Sequence, residues 1–128
     1  MTEPMRHDHL LCDLWFDTGD VLRYVETLRD PLLEAAKDGG AHVIHSHFHQ
    51  FQPVGVTGFL LLEESHISLH TWVEERYAAL DIFPCGSMDS AKILESLGGR
   101  LGVREVRLLE ALRGSSESGI SACEVALP

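Results

Sequence analysis

The residues best suited to chemistry lie in the middle of the chain, where Ser65 and His66 are followed by His70. A serine beside a histidine can act as a nucleophile, because the imidazole takes up the hydroxyl proton. Hydrolases of the α/β type carry that serine in a Gly-x-Ser-x-Gly turn. No glycine lies between Leu62 and Ile67, so this pattern does not predict a hydrolase.

Cys85 is a second candidate, since it follows Phe83-Pro84 and precedes Gly86 at the end of a predicted strand. Strand ends beside proline and glycine often leave a side chain at a rim, where functional residues collect. A free thiol has a pKa of about 8.5 and can donate a proton near neutral pH when its surroundings tune it. We interpret the other cysteines, Cys12 and Cys123, as chemically inert. Three cysteines with no close pair predict neither a disulfide scaffold nor a zinc ribbon.

Three histidines, His45, His47 and His49, form a third group. Residues two apart share one face of a strand, so the three imidazoles would line up and could bind a metal ion. A ladder of this kind has no carboxylate ligand and does not converge on a point. We therefore predict no metal site and keep a histidine-ladder metalloprotein as an alternative.

Composition limits the partners of this chain of 128 residues, of which 45% are hydrophobic. The net charge of -10 makes nucleic-acid binding improbable, because a phosphate backbone requires a basic face. A small cationic ligand suits an acidic protein better. No apolar run reaches the length of a membrane span, and the N-terminus has no apolar signal core. We expect a cytoplasmic protein with no membrane partner.

The elements that must position these residues follow from hydrophobic periodicity. It predicts one domain over residues 1–128, with a helix from Val21 to Gly39-Gly40 that kinks or restarts at Pro31. A second helix is capped by Ser87 or Asp89 and ends at Gly98-Gly99. A turn covers Pro53 to Gly58, and the tail from residue 114 to residue 128 is expected to be mobile. The predicted strands are His9–Phe16, Ala41–Phe51, Phe59–Leu62, His66–Trp72, Tyr77–Phe83 and Val103–Leu109.

Most of the strand connections are too short for parallel crossovers, so the sheet should be largely antiparallel. The fold class is α+β, a two-layer sandwich with two helices on one face of the sheet. The other face is also rich in apolar residues, which predicts a dimer packed sheet against sheet. Strict alternation places Ser65 and His70 on opposite faces. They can meet only if the chain bends or if Ser65 precedes the regular strand.

Taken in order, several motifs resemble the prokaryotic S-adenosylmethionine decarboxylase proenzymes. They are Glu64–Trp72 (ESHISLHTW), Glu74, Tyr77–Phe83 (YAALDIF) and Cys85-Gly86, with further matches at His9–Leu11, Asp13, Phe48-His49, Phe51, Gly55-Val56 and Gly58. The similarity extends from about residue 7 to about residue 112 with nearly the family's spacing. One such motif alone would be weak, but the ordered series is specific.

The resemblance implies that the chain cuts itself between Glu64 and Ser65, giving chains 1–64 and 65–128. Ser65 would become a pyruvoyl group, and His70 would assist the elimination that forms it. Such a ketone can form a Schiff base with a substrate amine and act as the electron sink that no amino-acid side chain provides. Thr57 stands where the family usually has a serine that supports processing. Cys85 matches the family's proton donor.

The resemblance also implies a substrate. Phe51 matches a residue that stacks on adenine, and Glu74 matches one that contacts ribose, which favours S-adenosylmethionine and a role in polyamine (spermidine) biosynthesis. Three positions depart from the family: Val73 replaces proline in Trp-Pro-Glu, Arg76 replaces a small residue, and Gln50 stands where a basic residue is common.

Because these departures lie in the pocket or the processing neighbourhood, two alternatives stay open. The first is the same cofactor acting on L-arginine or L-ornithine. The second is a homologue that neither cleaves nor catalyses, suggested by the extra methyl of Thr57. The family suggests a homodimer or higher homo-oligomer with sites at its interface.

Overall fold

The computed structural model describes residues 7–63, 65–84 and 86–125. Seven strands form one antiparallel sheet in the order β2-β3-β4-β5-β1-β6-β7. The strands are β1 (His7–Trp15), β2 (Val43–Gln50), β3 (Val56–Leu62), β4 (His66–Trp72), β5 (Tyr77–Phe83), β6 (Glu105–Ser115) and β7 (Gly119–Val125). A short 3₁₀ turn at Asp20–Leu22 precedes helix α1 (Val25–Asp38), and helix α2 spans Ser90–Leu101.

The core lies between the sheet and the two helices. Alternate residues of the central strands are fully buried, as Ile67 and Leu69 of β4 and Leu80 and Ile82 of β5 illustrate. Each helix adds an apolar stripe at helical spacing: Val25, Leu28, Leu32, Ala35 and Ala36 from α1, and Ile93, Leu94, Leu97 and Leu101 from α2. The predicted α+β sandwich is confirmed. None of the helices within the described residues is long and apolar enough to cross a membrane.

The face of the sheet that carries no helix exposes large apolar side chains. Phe59 is 40% exposed, Leu61 41%, Trp72 46% and Leu109 37%. The dimer predicted from sequence would cover this face, and it stays a prediction.

The predicted break in the first helix is in the wrong place. The helix does not restart at Pro31; it is continuous from Val25 to Asp38, and the break lies earlier, at Arg23-Tyr24. Leu28 and Leu32, on either side of the proline, are fully buried, and this packing offsets the hydrogen bond that proline cannot donate.

The predicted end of the second helix, at Gly98-Gly99, is also wrong. The helix continues to Leu101 and ends where Gly102 adopts a left-handed φ of 74°. Gly98 is instead a packing glycine, because a Cβ there would come within 2.9 Å of Val103 Cγ1. At its start, Asp89 is the N-cap and accepts a hydrogen bond from Lys92 N–H, as predicted.

Other boundaries also differ from the sequence prediction, those of β1 and β2 by one or two residues at each end. β3 begins at Val56, so the predicted turn from Pro53 to Gly58 is too long. The last predicted strand, Val103–Leu109, is observed as Glu105–Ser115. The tail predicted to be mobile forms β7, which pairs with β6 through Ala111–Ala122 and neighbouring positions. Residues 126–128 lie outside the described range.

Candidate active site

Thr57 and His70 form a hydrogen-bonded pair on neighbouring strands. The register of β3 and β4 places them directly opposite each other, and Thr57 Oγ1 lies 3.1 Å from His70 Nδ1. Both residues are partly buried, on the face of the sheet away from the helices. A hydroxyl bound to one ring nitrogen fixes the orientation of the imidazole and leaves the other nitrogen for proton transfer.

Ser65 lies immediately before β4, in the tight turn that follows β3. Leu62 N–H donates to Ser65 O at 2.9 Å, which closes the turn. The Ser65 hydroxyl donates a short hydrogen bond to Phe83 O, at the end of β5. Ser65 is thus outside the regular strand, the second of the two arrangements considered above. Glu64 and Cys85, the predicted cleavage partner and proton donor, lie outside the described residues.

Within one chain, Ser65 and His70 are not brought together. Ser65 lies beside His66, the first residue of β4, whereas His70 is near the other end of that strand. At about 3.3 Å per residue, the Cα atoms of His66 and His70 are roughly 13 Å apart. The fold therefore makes two separate groups, Ser65 with the end of β5 and Thr57 with His70.

A cluster of rings surrounds the turn at Ser65 and was not singled out from the sequence as a site. His9 stacks on Phe83 with centroids 5.0 Å apart, and His66 stacks on Phe59 at 5.7 Å. Burial lowers the pKa of His9 despite the opposing charge of Asp81. The cluster depends on strand register, so no local motif could have revealed it.

Of the two predicted substrate residues, Glu74 lines a groove at the end of β4, and Phe51 lies beside Gly55, another residue of its lining. Its volume is about 340 Å³, and Glu74 lines it together with Pro53, Val54, Gly55, Thr71, Trp72, Val73 and Glu75. Phe51 packs beside Gly55, where an added Cβ would meet Phe51 Cβ at 3.7 Å, and the ring is 48% exposed. The His49 ring meets Phe51 edge-on at 4.6 Å, and His49 is registered with Thr57. Phe51 and His49 therefore lie between Gly55 of the groove and Thr57.

An aromatic stack continues along the same face and was also missed from the sequence. Tyr77 stacks on Trp72 with centroids 5.4 Å apart, and Trp15 lies on its other side at 5.5 Å. The Tyr77 hydroxyl donates a short hydrogen bond to Asp13. Burial, and then that hydrogen bond, raise the pKa of Tyr77 to about 12, so the phenol stays neutral at physiological pH.

Arg76, which was expected to lie in the loop that shapes the pocket, occupies a left-handed turn position with a φ of 55°. Its guanidinium Nη1 donates to Asp17 O at 3.4 Å. Arg76 is exposed and does not line the groove that contains Glu74.

The histidine ladder lies on the edge strand β2, with His45, His47 and His49 all exposed on the open face. Across the described ranges, no three His, Cys, Asp or Glu side chains are grouped so that they could hold a metal ion. The histidine-ladder alternative therefore has no support from these residues.

Comparison with known proteins places the chain in a family. The family model described as S-adenosylmethionine decarboxylase matches residues 8–114. The S-adenosylmethionine decarboxylase proenzyme of Thermosipho melanesiensis is 38% identical over 114 residues, which are 88% of each protein. The proenzyme of Persephonella marina is 49% identical over 81 residues, 63% of this chain and 61% of that protein, so this alignment spans less than two thirds of its length.

A solved structure agrees with these sequence relatives. The crystal structure of the adenosylmethionine decarboxylase from Aquifex aeolicus superposes with a TM-score of 0.73 at 32% identity, covering 88% of this chain and 92% of that one. Likeness in sequence and fold thus extends over most of both chains. The chain belongs to the S-adenosylmethionine decarboxylase family.

Proposed function

We propose that this protein is a self-processing, pyruvoyl-dependent decarboxylase of S-adenosylmethionine that acts in the cytoplasm as a step of polyamine biosynthesis. The observation that carries the proposal is the Thr57–His70 hydrogen bond of 3.1 Å, in a member of a family of decarboxylase proenzymes. The chain would act as one domain that is cut into residues 1–64 and 65–128.

Processing requires a serine hydroxyl beside a strained or exposed peptide bond. Ser65 Oγ would attack the carbonyl carbon of Glu64, and the peptide nitrogen would leave that carbon, so that an amide becomes an ester. Loss of the Ser65 Cα proton would then break the Cβ–O bond and release a chain ending in the Glu64 carboxylate. Water would replace the nitrogen of the remaining dehydroalanine, with release of ammonia. The position of Ser65 supports this role, because Ser65 precedes β4 and is not itself paired in a strand ladder.

The proposed roles divide between two groups. His70, oriented by Thr57, would take the proton in the elimination. Cys85, two residues after Phe83 whose carbonyl binds Ser65, would donate the proton that replaces carbon dioxide on the substrate. The pyruvoyl group at position 65 would supply the electron sink for decarboxylation.

The groove beside Phe51 and Glu74 favours S-adenosylmethionine over arginine or ornithine. Its volume of about 340 Å³ lies within the usual range for small-molecule sites. The exposed Phe51 ring offers a flat apolar surface on which an adenine base can stack over its full width. Arg76, the residue least compatible with a sulfonium, directs its guanidinium to Asp17 O instead of into this groove.

The substrate is tested by offering S-adenosylmethionine, L-arginine and L-ornithine separately to the processed protein and measuring released carbon dioxide. We expect turnover of S-adenosylmethionine alone, and a loss of that turnover in Phe51→Ala. If a basic amino acid is turned over and S-adenosylmethionine is not, the proposed substrate is wrong. The proposed pyruvoyl cofactor would still stand.

We also propose that the functional unit is a homodimer in which Ser65 meets His70 of the partner subunit. Two features support this arrangement: the roughly 13 Å between the Cα atoms of His66 and His70, and the exposed apolar side chains of the open sheet face. Sheet-against-sheet packing would cover that face and could place the Thr57–His70 pair of one subunit against the Ser65 turn of the other.

Mixing two inactive chains tests the shared site. Ser65→Ala lacks the nucleophile, and His70→Ala keeps Ser65 but should cleave very slowly alone. In mixed dimers the His70→Ala chain should be cut, because the Ser65→Ala subunit supplies its histidine, whereas the Ser65→Ala chain should stay whole. Failure of mixing to speed cleavage, in dimers verified by mass, would reject the shared site without affecting the assignment of Ser65.

A further inference from the structure

Gln50, the last residue of β2, ties three separate backbone segments together. Its Oε1 accepts a hydrogen bond of 2.8 Å from Val25 N–H, the first residue of α1. Its Nε2 lies 2.9 Å from Arg23 O, 3.0 Å from Phe51 O and 3.0 Å from Gly55 O. The amide therefore uses both its acceptor and its donors within the protein.

Main-chain hydrogen bonds reinforce the same junction. Phe51 N–H donates to Gly55 O, and Gly55 N–H donates to Arg23 O, each at 2.9 Å. Gly55 has a φ of 112°, which a residue with a side chain rarely adopts. The five-residue loop that begins with Phe51 is thus fixed to the linker before α1, and Gln50 contacts both.

We propose that Gln50 is a positioning residue that determines where the Phe51 ring lies at the edge of the groove. The inference rests on the proposed function, in which Phe51 stacks on the adenine of the substrate. Phe51 is 48% exposed, so packing encloses only part of its side chain. Its position therefore depends on the backbone that Gln50 binds at Phe51 O and Gly55 O.

The chemistry of the amide accounts for glutamine at this position. A lysine or arginine could donate to the carbonyls of Arg23, Phe51 and Gly55 but could not accept from Val25 N–H. The N-cap residue Tyr24 provides no side-chain cap for α1. Gln50, in β2, instead accepts the hydrogen bond from Val25 N–H. One side chain thereby couples the start of α1 to the five-residue loop that begins with Phe51.

The test compares Gln50→Leu, which removes every amide hydrogen bond, with Gln50→Lys, which keeps donors only. Ser96→Ala is the control, since the Ser96 hydroxyl makes hydrogen bonds with Asp38 and Arg100 on the helix layer. For each processed enzyme, KM and kcat are measured with S-adenosylmethionine, and the affinity for 5′-methylthioadenosine is measured at equilibrium. The methylthioadenosine probe carries adenine and ribose but has no carboxylate to lose.

We expect Gln50→Leu to raise KM and the methylthioadenosine Kd about tenfold, with kcat within about twofold, because misplaced binding groups weaken binding. Gln50→Lys should be affected less, and Ser96→Ala should match the wild type. In a Phe51→Ala background, Gln50→Leu should leave the methylthioadenosine Kd almost unchanged, since its effect acts through the ring. If Gln50→Leu does not fold, the same comparison is made with Gln50→Lys in the wild-type and Phe51→Ala backgrounds.

Unchanged KM in the Gln50 variants, or an effect that adds in full to that of Phe51→Ala, would overturn the inference alone. A wild-type enzyme that neither binds methylthioadenosine nor decarboxylates S-adenosylmethionine would overturn the proposed function and this inference with it. The two failures are distinguishable, because only the second appears in the wild type.

Discussion

His70 Nδ1 lies 3.1 Å from Thr57 Oγ1 across the β3–β4 ladder. Ser65 immediately precedes the first residue of β4, away from His70. The Thr57 hydroxyl and the His70 imidazole therefore come together within one chain. The nucleophile is built separately, against the carbonyl of Phe83. This division gives the proposed self-cleavage its most specific consequences.

The hydroxyl of Thr57 should matter for processing more than its methyl group does. Thr57→Val keeps the shape of the side chain but removes the partner of His70, and we expect cleavage to slow at least about tenfold, the lower part of the range for acid–base groups. Thr57→Ser should cleave at least as fast as the wild type. Intact mass measured over time gives both rates, with Thr27→Val on α1 as the matched control. Unchanged cleavage in Thr57→Val would contradict the role of the pair.

Cys85 should act after processing and not during it. Cys85→Ala should therefore yield two chains at the wild-type rate, yet its kcat should fall by about 10²-fold, because the proton donor is lost. Cys123→Ala makes the same change on the exposed strand β7 and should have no effect. Normal kcat in processed Cys85→Ala would remove this cysteine from the mechanism.

Cys12 should be unreactive in the folded protein. Burial raises its pKa to about 12, so almost no thiolate is present at neutral pH. Cys123, interpreted from the sequence as inert, is instead exposed. In a Cys85→Ala background, a thiol reagent should therefore modify Cys123 and leave Cys12 unmodified until denaturant is added. Equal modification rates for the two thiols in the native protein would be incompatible with the burial of Cys12 in β1, where it is 3% exposed.

Tyr77 should make folding stability depend on alkaline pH. Its pKa rises from 10.0 unfolded to about 12 folded, because burial and the Asp13 hydrogen bond both favour the protonated phenol. This contribution is complete below pH 10 and is lost as pH rises through about 12. Denaturant unfolding of the wild type should therefore weaken between these values more than that of Tyr77→Phe. The control is Tyr24→Phe at an exposed site. Parallel pH profiles for the wild type and Tyr77→Phe would contradict this assignment.

Much of the fold was readable from periodicity. The strands His66–Trp72 and Tyr77–Phe83 were predicted at their observed bounds, because apolar side chains alternate cleanly where one face meets the helices. β7 was missed for the converse reason. Six of its seven residues are exposed, so neither face carries an apolar pattern, and its Ser- and Glu-rich approach resembles a mobile tail.

The candidate site was harder to predict from the sequence, because it depends on the register of the strands. Thr57 and His70 are 13 residues apart in sequence, and only the β3–β4 pairing makes them partners. His9 and Phe83 are further apart still, yet they stack at 5.0 Å. Gln50 was noted only as a departure from the family pattern, and its role required the position of α1 to be known.

The most direct test of the central claim is the intact mass of the purified protein under denaturing conditions, with Ser65→Ala beside it. Ser68→Ala, a serine-to-alanine change within β4, is the control. We expect the wild type and Ser68→Ala to give two chains divided between residues 64 and 65. The second chain should be lighter, by one ammonia, than a chain that begins with serine. Ser65→Ala should stay whole and inactive. A wild type that decarboxylates S-adenosylmethionine as a single full-length chain, or a Ser65→Ala variant that keeps its activity, would contradict the proposed self-cleavage at Ser65.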